Sequence, residues 1–231
     1  RETKRVYDGT LYNVFIGTNE SALGAQKQTV ASKSAQTPEL EAKMIAEKLA
    51  NILVEMSDYN RDYNDYGFLR SYSEDAIKVI WNSKFVNKIR KVDLPAIFHK
   101  EGLVDKFDEE VLPARYFGTK NAAKVTASAN TGNYRSVIEK TYTKADTEYH
   151  VFPGDVIPAG VDIAAGEGYT VDADIICKIV VKLPPFMSAF EVGTSFFNPR
   201  SLTENHYLTF GHNTLVALKN YPFVTLRASA E

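Results

Sequence analysis

The sequence predicts an α+β fold, and three observations predict it: one long periodic helix, a set of short β-rich runs between Pro and Gly turns, and a late apolar run fit for a central strand. The chain has 231 residues, of which 44% are hydrophobic and 24% charged, with 13 Gly and 9 Pro. That composition belongs to a folded globular chain with one large domain, or one domain carrying an insertion. No repeat at a period of about 20 to 50 residues occurs, which disfavours solenoids and propellers.

Residues 1–36 are polar except for LYNVFI at 11–16, which reads as a strand followed by Gly17 and a Ser/Ala/Gln-rich loop. A helix begins at Thr37, where an N-cap residue, Pro38 and Glu39 stand in the order that helix starts prefer. Leu40, Met44, Ile45, Leu49, Ile52, Leu53 and Met56 recur every three or four positions and are expected on one buried face. DYNRDYNDY at 58–66 reads as a polar aromatic loop. IKVIW at 77–81 is a β-rich run stopped by Asn82 and Ser83, and 84–91 resumes helical spacing through Phe85, Val86 and Ile89. Residues 94–100 read as a further helical turn or two closed by Gly102, while 111–117 read as extended, with Pro113 favouring a sheet edge.

From 118 to 149 the text is small and polar, and only Asn130-Thr131-Gly132-Asn133 gives a definite signal, a turn. Short strands are expected at 149–152, 155–157 and 169–171, in small hairpins set off by Pro153-Gly154, Pro158-Ala159-Gly160 and Gly166-Glu167-Gly168. The apolar run at 175–183 is the expected core strand, ending at Pro184-Pro185. Residues 186–192, 207–210 and 223–226 add further strands, FFNPR at 196–200 marks an aromatic-to-turn junction, and 213–218 read as helical.

Twenty-seven basic and 29 acidic residues leave a formal charge of -2 and a pI near 6.2, without the basic excess a general nucleic-acid binder uses on a phosphate backbone. The apolar stretches fall far short of the roughly 20 residues of a membrane-spanning helix. One cysteine, Cys177, rules out an internal disulfide framework and a multi-cysteine zinc site, and fits a reducing compartment. The chain opens on Arg1 with no apolar signal core in its first ten residues, which reads as a processed product or a fragment.

Signatures of chemistry are sparse. Asp58, Asn60 and Asp62 imitate the first ligands of a calcium loop, but Tyr63 and Leu69 stand where that loop needs Gly and Glu, so a solvated loop is expected. Cys177 lies inside an apolar strand, where a thiol is buried and inert. His99, His150, His206 and His212 form no HExxH or other short metal pair, and no metal is expected. GxGxxG, GxxxxGK[ST] and GxSxG are all missing, so dinucleotide, P-loop and esterase readings lack their phosphate cradle or nucleophile elbow. Asp108-Glu109-Glu110 reads as a solvated acidic face. No catalytic, cofactor-binding or metal residue is therefore assigned. The positive trend is aromatic: 13 Tyr and 13 Phe, several in polar or turn contexts, such as Tyr59, Tyr63, Tyr66, Phe196, Phe197 and Tyr207. Aromatics are enriched at protein interfaces, but composition alone favours the plainer reading of an ordinary β-rich core.

Two passages carry a resemblance. IKVIWNSKFVNKIRKVDLPAIFH at 77–99 and MSAFEVGTSFFNPRSLTENHYLTFGHNTLVAL within 186–218 resemble the major capsid proteins of tailed bacteriophages, nearest to those of short-tailed phages, whose subunits have the Hong Kong 97 fold. In the first, a strand runs into an Asn and a short basic helix; in the second, an Asn-Pro-Arg turn joins aromatic-rich closing strands. The resemblance implies an α+β unit like that family's axial domain, a central β-sheet flanked by helices. It divides the chain into an N-terminal strand and linker at 1–36, a remnant of an arm or peripheral domain, and an axial-type domain at 37–231 with a β-rich insertion at about 118–172. The family's N-terminal arm, extended loop and spine helix do not all fit before Thr37, so the chain departs from the pattern there.

What the resemblance implies about function is a non-enzymatic structural subunit that self-assembles into pentamers and hexamers of an icosahedral shell around phage DNA. Its partners would be copies of itself, together with scaffolding, portal or decoration proteins, with nonspecific DNA contact at most, no cofactor and no membrane. The location would be the virion shell, assembled in the bacterial host cytoplasm. A rival reading is a phage or cell-surface module that binds a ligand through the aromatic loops 58–66 and 196–200. A hydrolase using Cys177 or a carboxylate is the third.

Overall fold

The computed structural model of the chain describes residues 27–64, 66–89, 108–182, 187–214 and 221–230. Its centre is β9 (Ile175–Val181), the middle strand of a five-stranded sheet. On one side β9 pairs antiparallel with β12 (Phe223–Ala228), and β12 pairs in parallel with β1 (Lys27–Val30). On the other side it pairs antiparallel with β2 (Ile77–Asn82), and β2 pairs in parallel with β3 (Asp108–Leu112). The two runs expected to be core strands, 77–81 and 175–181, thus share one sheet. A central strand is covered on both faces, which is why β9 is almost continuously apolar. Between β9 and β12 the register slips at Leu226 and Arg227, so that Ile176 and Cys177 both join the same buried cluster instead of alternating.

That cluster lies under α1 (Pro38–Ser57). The helix begins as the sequence dictates: the Thr37 hydroxyl accepts the Leu40 amide at 3.2 Å, Pro38 takes the first turn, and Glu39 and Glu41 face the positive end of the dipole. Ile45, Leu49, Ile52, Leu53 and Met56 pack on Ile77, Val79, Trp81, Ile179, Val224 and Leu226. Leu40, expected on this face, is instead 45% exposed. At 3.6 residues per turn it stands about 140° from Ile45, on the solvent side, and Ala42 and Ala46 take the contact. Met44, at the flank, is partly buried.

Asn82 joins β2 to α2 (Ser83–Ile89): its buried amide donates to the Ile175 carbonyl at 2.9 Å, while its carbonyl accepts the Lys84 amide at 3.1 Å. The expected end of this helix at 90–91 and the turn at 94–100 lie outside the described residues, as does the strand at 11–16. Residues 27–30, read as loop, form β1 within the central sheet. They pair with β12, a partner some 200 positions away that no local pattern announces. The stretch 111–117 is only half extended. β3 ends at Leu112, and Pro113 leads into a single 3-10 turn at Ala114–Tyr116, with β3 at the sheet edge where proline is tolerated.

The second face of the sheet is covered by residues 116–171. Ile80, Ile175 and Phe223 pack there against Tyr116, Phe117, Val137 and Tyr169. The covering layer is a three-stranded sheet of β4 (Gly118–Lys120), β8 (Gly168–Val171) and β5 (Arg135–Ser136). Beyond it Tyr142, Val151, Ile157, Val161 and Ile163 form a smaller core, bordered by a hairpin of β6 (Lys140–Lys144) and β7 (Thr147–Val151). The expected turn at Asn130 is present: Asn130 is buried, accepts the Gly132 amide and donates to the carbonyls of Pro158 and Val161. The region left unassigned from 118 to 149 therefore holds β4, β5 and β6. Residues 155–157, expected as a strand, contribute one isolated bridge between Val156 and Arg135, because β7 pairs backwards with β6.

The fold is mixed α+β and rich in sheet, with α1 on one face of the central sheet and a β-layer on the other.

Candidate functional site

Outside these layers stands one element that the core does not use. β10 (Met187–Asn198) and β11 (Thr203–Thr214) pair in unbroken antiparallel register over twelve residues each, and neither pairs with another described strand. At the ordinary rise per residue such a ribbon is about 40 Å long. Local chemistry closes its tip: the Asn198 side chain accepts the Arg200 amide at 3.1 Å, and Ser201 and Thr203 hydroxyls meet at 2.6 Å. Leu202 takes a left-handed φ of 52° to complete the turn, with its side chain in solvent.

The register sorts the side chains into two different faces. One row carries Phe190, Val192, Thr194 and Phe196 opposite Gly211, Thr209, Tyr207 and Asn205, and it contains no charged residue. The alternate positions hold Glu191, Glu204, His206 and His212 along with Phe197 and Leu208. On the uncharged face Phe190, Val192, Phe196 and Tyr207 are 54% to 61% exposed. The Phe190 ring lies across Gly211, where a β-carbon would sit 2.6 Å from a ring atom, so a larger residue there would push the exposed ring aside. Of these residues, Phe196, Phe197 and Tyr207 are legible as aromatics in turn or strand contexts. Phe190, Val192 and Leu208 were missed, although the alternation of Phe190, Val192, Thr194 and Phe196 is the signal that finds them. Asn213 and Thr214, expected to begin a helix, end β11, and 215–218 lie outside the described residues.

The other candidates are occupied by structural work. Cys177 is fully buried and burial pushes its thiol up, away from the thiolate a nucleophile needs. In the calcium-like loop, Asp58 accepts the Tyr59 amide and Asn60 accepts the Asp62 amide while donating to backbone carbonyls. Tyr63, grouped with the surface aromatics, is instead buried and donates its hydroxyl to Glu55 at 2.6 Å; burial, then this carboxylate, raises its pKa. Tyr59 and Tyr66 are exposed, and Arg70 lies over the rings of Phe68 and Tyr221 at 5.4 and 5.1 Å. The acidic run on β3 meets lysines: Lys78 lies 2.7 Å from Glu110 and 4.0 Å from Asp108, and the Glu110 hydrogen bond raises the Lys78 pKa. His150 contacts Glu139 and Thr141, and His206 lies 3.8 Å from Glu204; His99 is outside the described residues. Among the described residues no three His, Cys, Asp or Glu side chains converge as metal ligands, and no helix is long and apolar enough to cross a membrane.

Comparison with protein-family models and with curated proteins gives no match. The ribbon's own chemistry therefore has to carry the functional reading. The ribbon leaves Phe190, Val192, Phe196, Phe197, Tyr207 and Leu208 in water, a run of large apolar side chains on one exposed element.

One further buried group stands apart from these. Lys178, in the middle of β9, is fully buried, with its ammonium position 5.9 Å from the Phe117 ring and 5.3 Å from the Phe223 ring. Burial, and secondly Arg227, pulls its pKa well below that of a free lysine.

Proposed function

We propose that the chain is a structural subunit that assembles with copies of itself into a closed shell of the tailed-phage capsid type. The observation that carries this reading is the β10–β11 ribbon, a twelve-pair arm with apolar side chains on both faces and no other described strand beside it. An isolated two-stranded hairpin is marginal in water, so an arm of this length calls for a neighbour. Shells provide neighbours by symmetry, and modest contacts repeated many times hold the particle. A formal charge of -2 suits packing beside copies, since a strongly charged subunit would repel them. The resemblance at 77–99 and 186–218 points the same way: the first includes the β2, Asn82, α2 junction and the second the ribbon with its Asn-Pro-Arg turn.

Negative-stain electron microscopy of the gene product, expressed alone and with its neighbouring genes, tests the proposal. Uniform closed shells or flat capsomer sheets support it. Monodisperse small particles under both conditions overturn it.

A second reading has one observation in its favour. Exposed Tyr59 and Tyr66 and the Arg70–Phe68 stack gather on the loop after α1, a surface suited to a carbohydrate or protein ligand. Binding of a glycan panel by the isolated chain, lost in Tyr59→Ala/Tyr66→Ala, would favour it.

A further inference from the structure

We infer that the uncharged face of the β10–β11 ribbon is covered, in the working protein, by a second copy of this chain. The inference deepens the shell reading and rests on it for the identity of the partner. Its starting point is the register, which leaves every ionisable carboxylate and imidazole of the ribbon on the alternate positions. What remains is a strip of Phe190, Val192, Phe196 and Tyr207 interleaved with Thr and Asn. Aromatics enriched and charges depleted are the composition of an interface core, with the uncharged polar groups able to pair across it.

Size supports the same occupant. A face two strands wide and about 40 Å long, with its large side chains more than half exposed, has a footprint of about 400 Å². A standard interface takes about 800 Å² from each partner, so this strip alone supplies about half of one side of a stable contact. The opposite face also exposes Phe197 and Leu208, but a partner covering it would have to desolvate Glu204 and His206. A small ligand would leave most of such a strip wet, and the absence of charge removes the attraction for an acidic or basic partner. A copy of the chain is the partner available at the highest local concentration once assembly begins.

The test uses the full chain in three forms: unmodified, Phe190→Asp/Phe196→Asp, and Leu208→Asp as a control on the charged face. Sedimentation velocity and hydrogen exchange are followed over a concentration series. The unmodified chain is expected to associate, with exchange across 187–214 slowing at least tenfold between dilute and concentrated samples. The double variant is expected to lose this association by tenfold or more, and Leu208→Asp to keep it. Because Cys177 is buried, Thr194→Cys places one accessible cysteine at the middle of the strip without removing an aromatic. A thiol-linked photo-crosslinker there should give dimers of the chain. A chain that stays monomeric at every concentration, with the ribbon equally protected throughout, would overturn the inference, since the strip would then be covered from within. Unchanged association and crosslinking in the double variant would overturn it too. The two proposals separate cleanly: association through the strip without any shell sinks the shell reading alone, and shells formed in full yield by the double variant sink this inference alone.

Discussion

Asn82 holds two backbone groups at once, the Ile175 carbonyl on the neighbouring strand and the Lys84 amide in the first turn of α2. Its buried position leaves no water to replace the bond to the Ile175 carbonyl. Asn82→Leu is therefore expected to destabilise the fold by about 2 kcal/mol, combining a lost cap with an orphaned carbonyl; urea unfolding giving a loss under 0.5 kcal/mol would contradict that role. Lys178 makes a prediction about pH. Facing it are the Phe117 and Phe223 rings, and Arg227 is the nearby charge that, after burial, lowers its pKa. The unfolded chain thus holds a proton that the folded chain releases, between the lowered folded pKa and the free value near 10.4. In that window stability rises with pH, and it is lowest once the pH has fallen through the folded pKa. Lys178→Met should flatten the rise of stability toward pH 10. Thermal melts of both forms at pH 7 and 10 check this, and an unchanged pH profile in the variant would contradict it.

At the scale of elements, α1 is the part most readable in advance, because one apolar face and one cap are local properties. Even there position around the helix decides energy. Leu49→Ala, at a fully buried site, is expected to cost about 2 to 5 kcal/mol. Leu40→Ala, on the solvent side, is expected to stay within about 0.5 kcal/mol. Equal costs in chemical denaturation would refute the orientation described for the helix. The β6–β7 hairpin shows why other elements were not legible. Its two-residue loop is Ala145-Asp146, both with left-handed φ, 46° and 62°, where Asn-Gly is the usual signal. A turn formed by residues that do not favour it gives no warning, so of this hairpin only the end of β7, from Tyr149, is legible in the sequence.

For the whole molecule, the central sheet is a septum between two unlike cores, α1 on one side and the layer over 116–171 on the other. Phe117 is fully buried between the sheet and that layer, packed with Ile80, Ile175, Phe223 and Tyr169. Phe117→Ala is expected to cost about 3 to 5 kcal/mol. It should also loosen 118–172 first, read as faster hydrogen exchange in β4, β5 and β8 than in β2 and β9. Uniform loosening of both would show that the layer and the sheet unfold as one.

Sequence alone determined the α+β class, the Thr37 start and buried stripe of α1, β2 with its Asn82 stop, β9 as the core strand, Cys177 as a core residue and the Asn130 turn. Each of these depends on residues within a few positions of one another, where periodicity, caps and turn chemistry act. Only the tertiary structure decided that 27–30 joins the sheet beside β12, that Leu40 faces solvent, that Tyr63 is buried, and that Lys178 lies between two rings. It also decided that β10 and β11 run as one ribbon whose register divides charged from uncharged positions. Strand pairing and burial are settled by partners tens to hundreds of residues away. A shift of one position in the register of β10 on β11 would mix the two sets of residues, and nothing local to either strand chooses between the two arrangements.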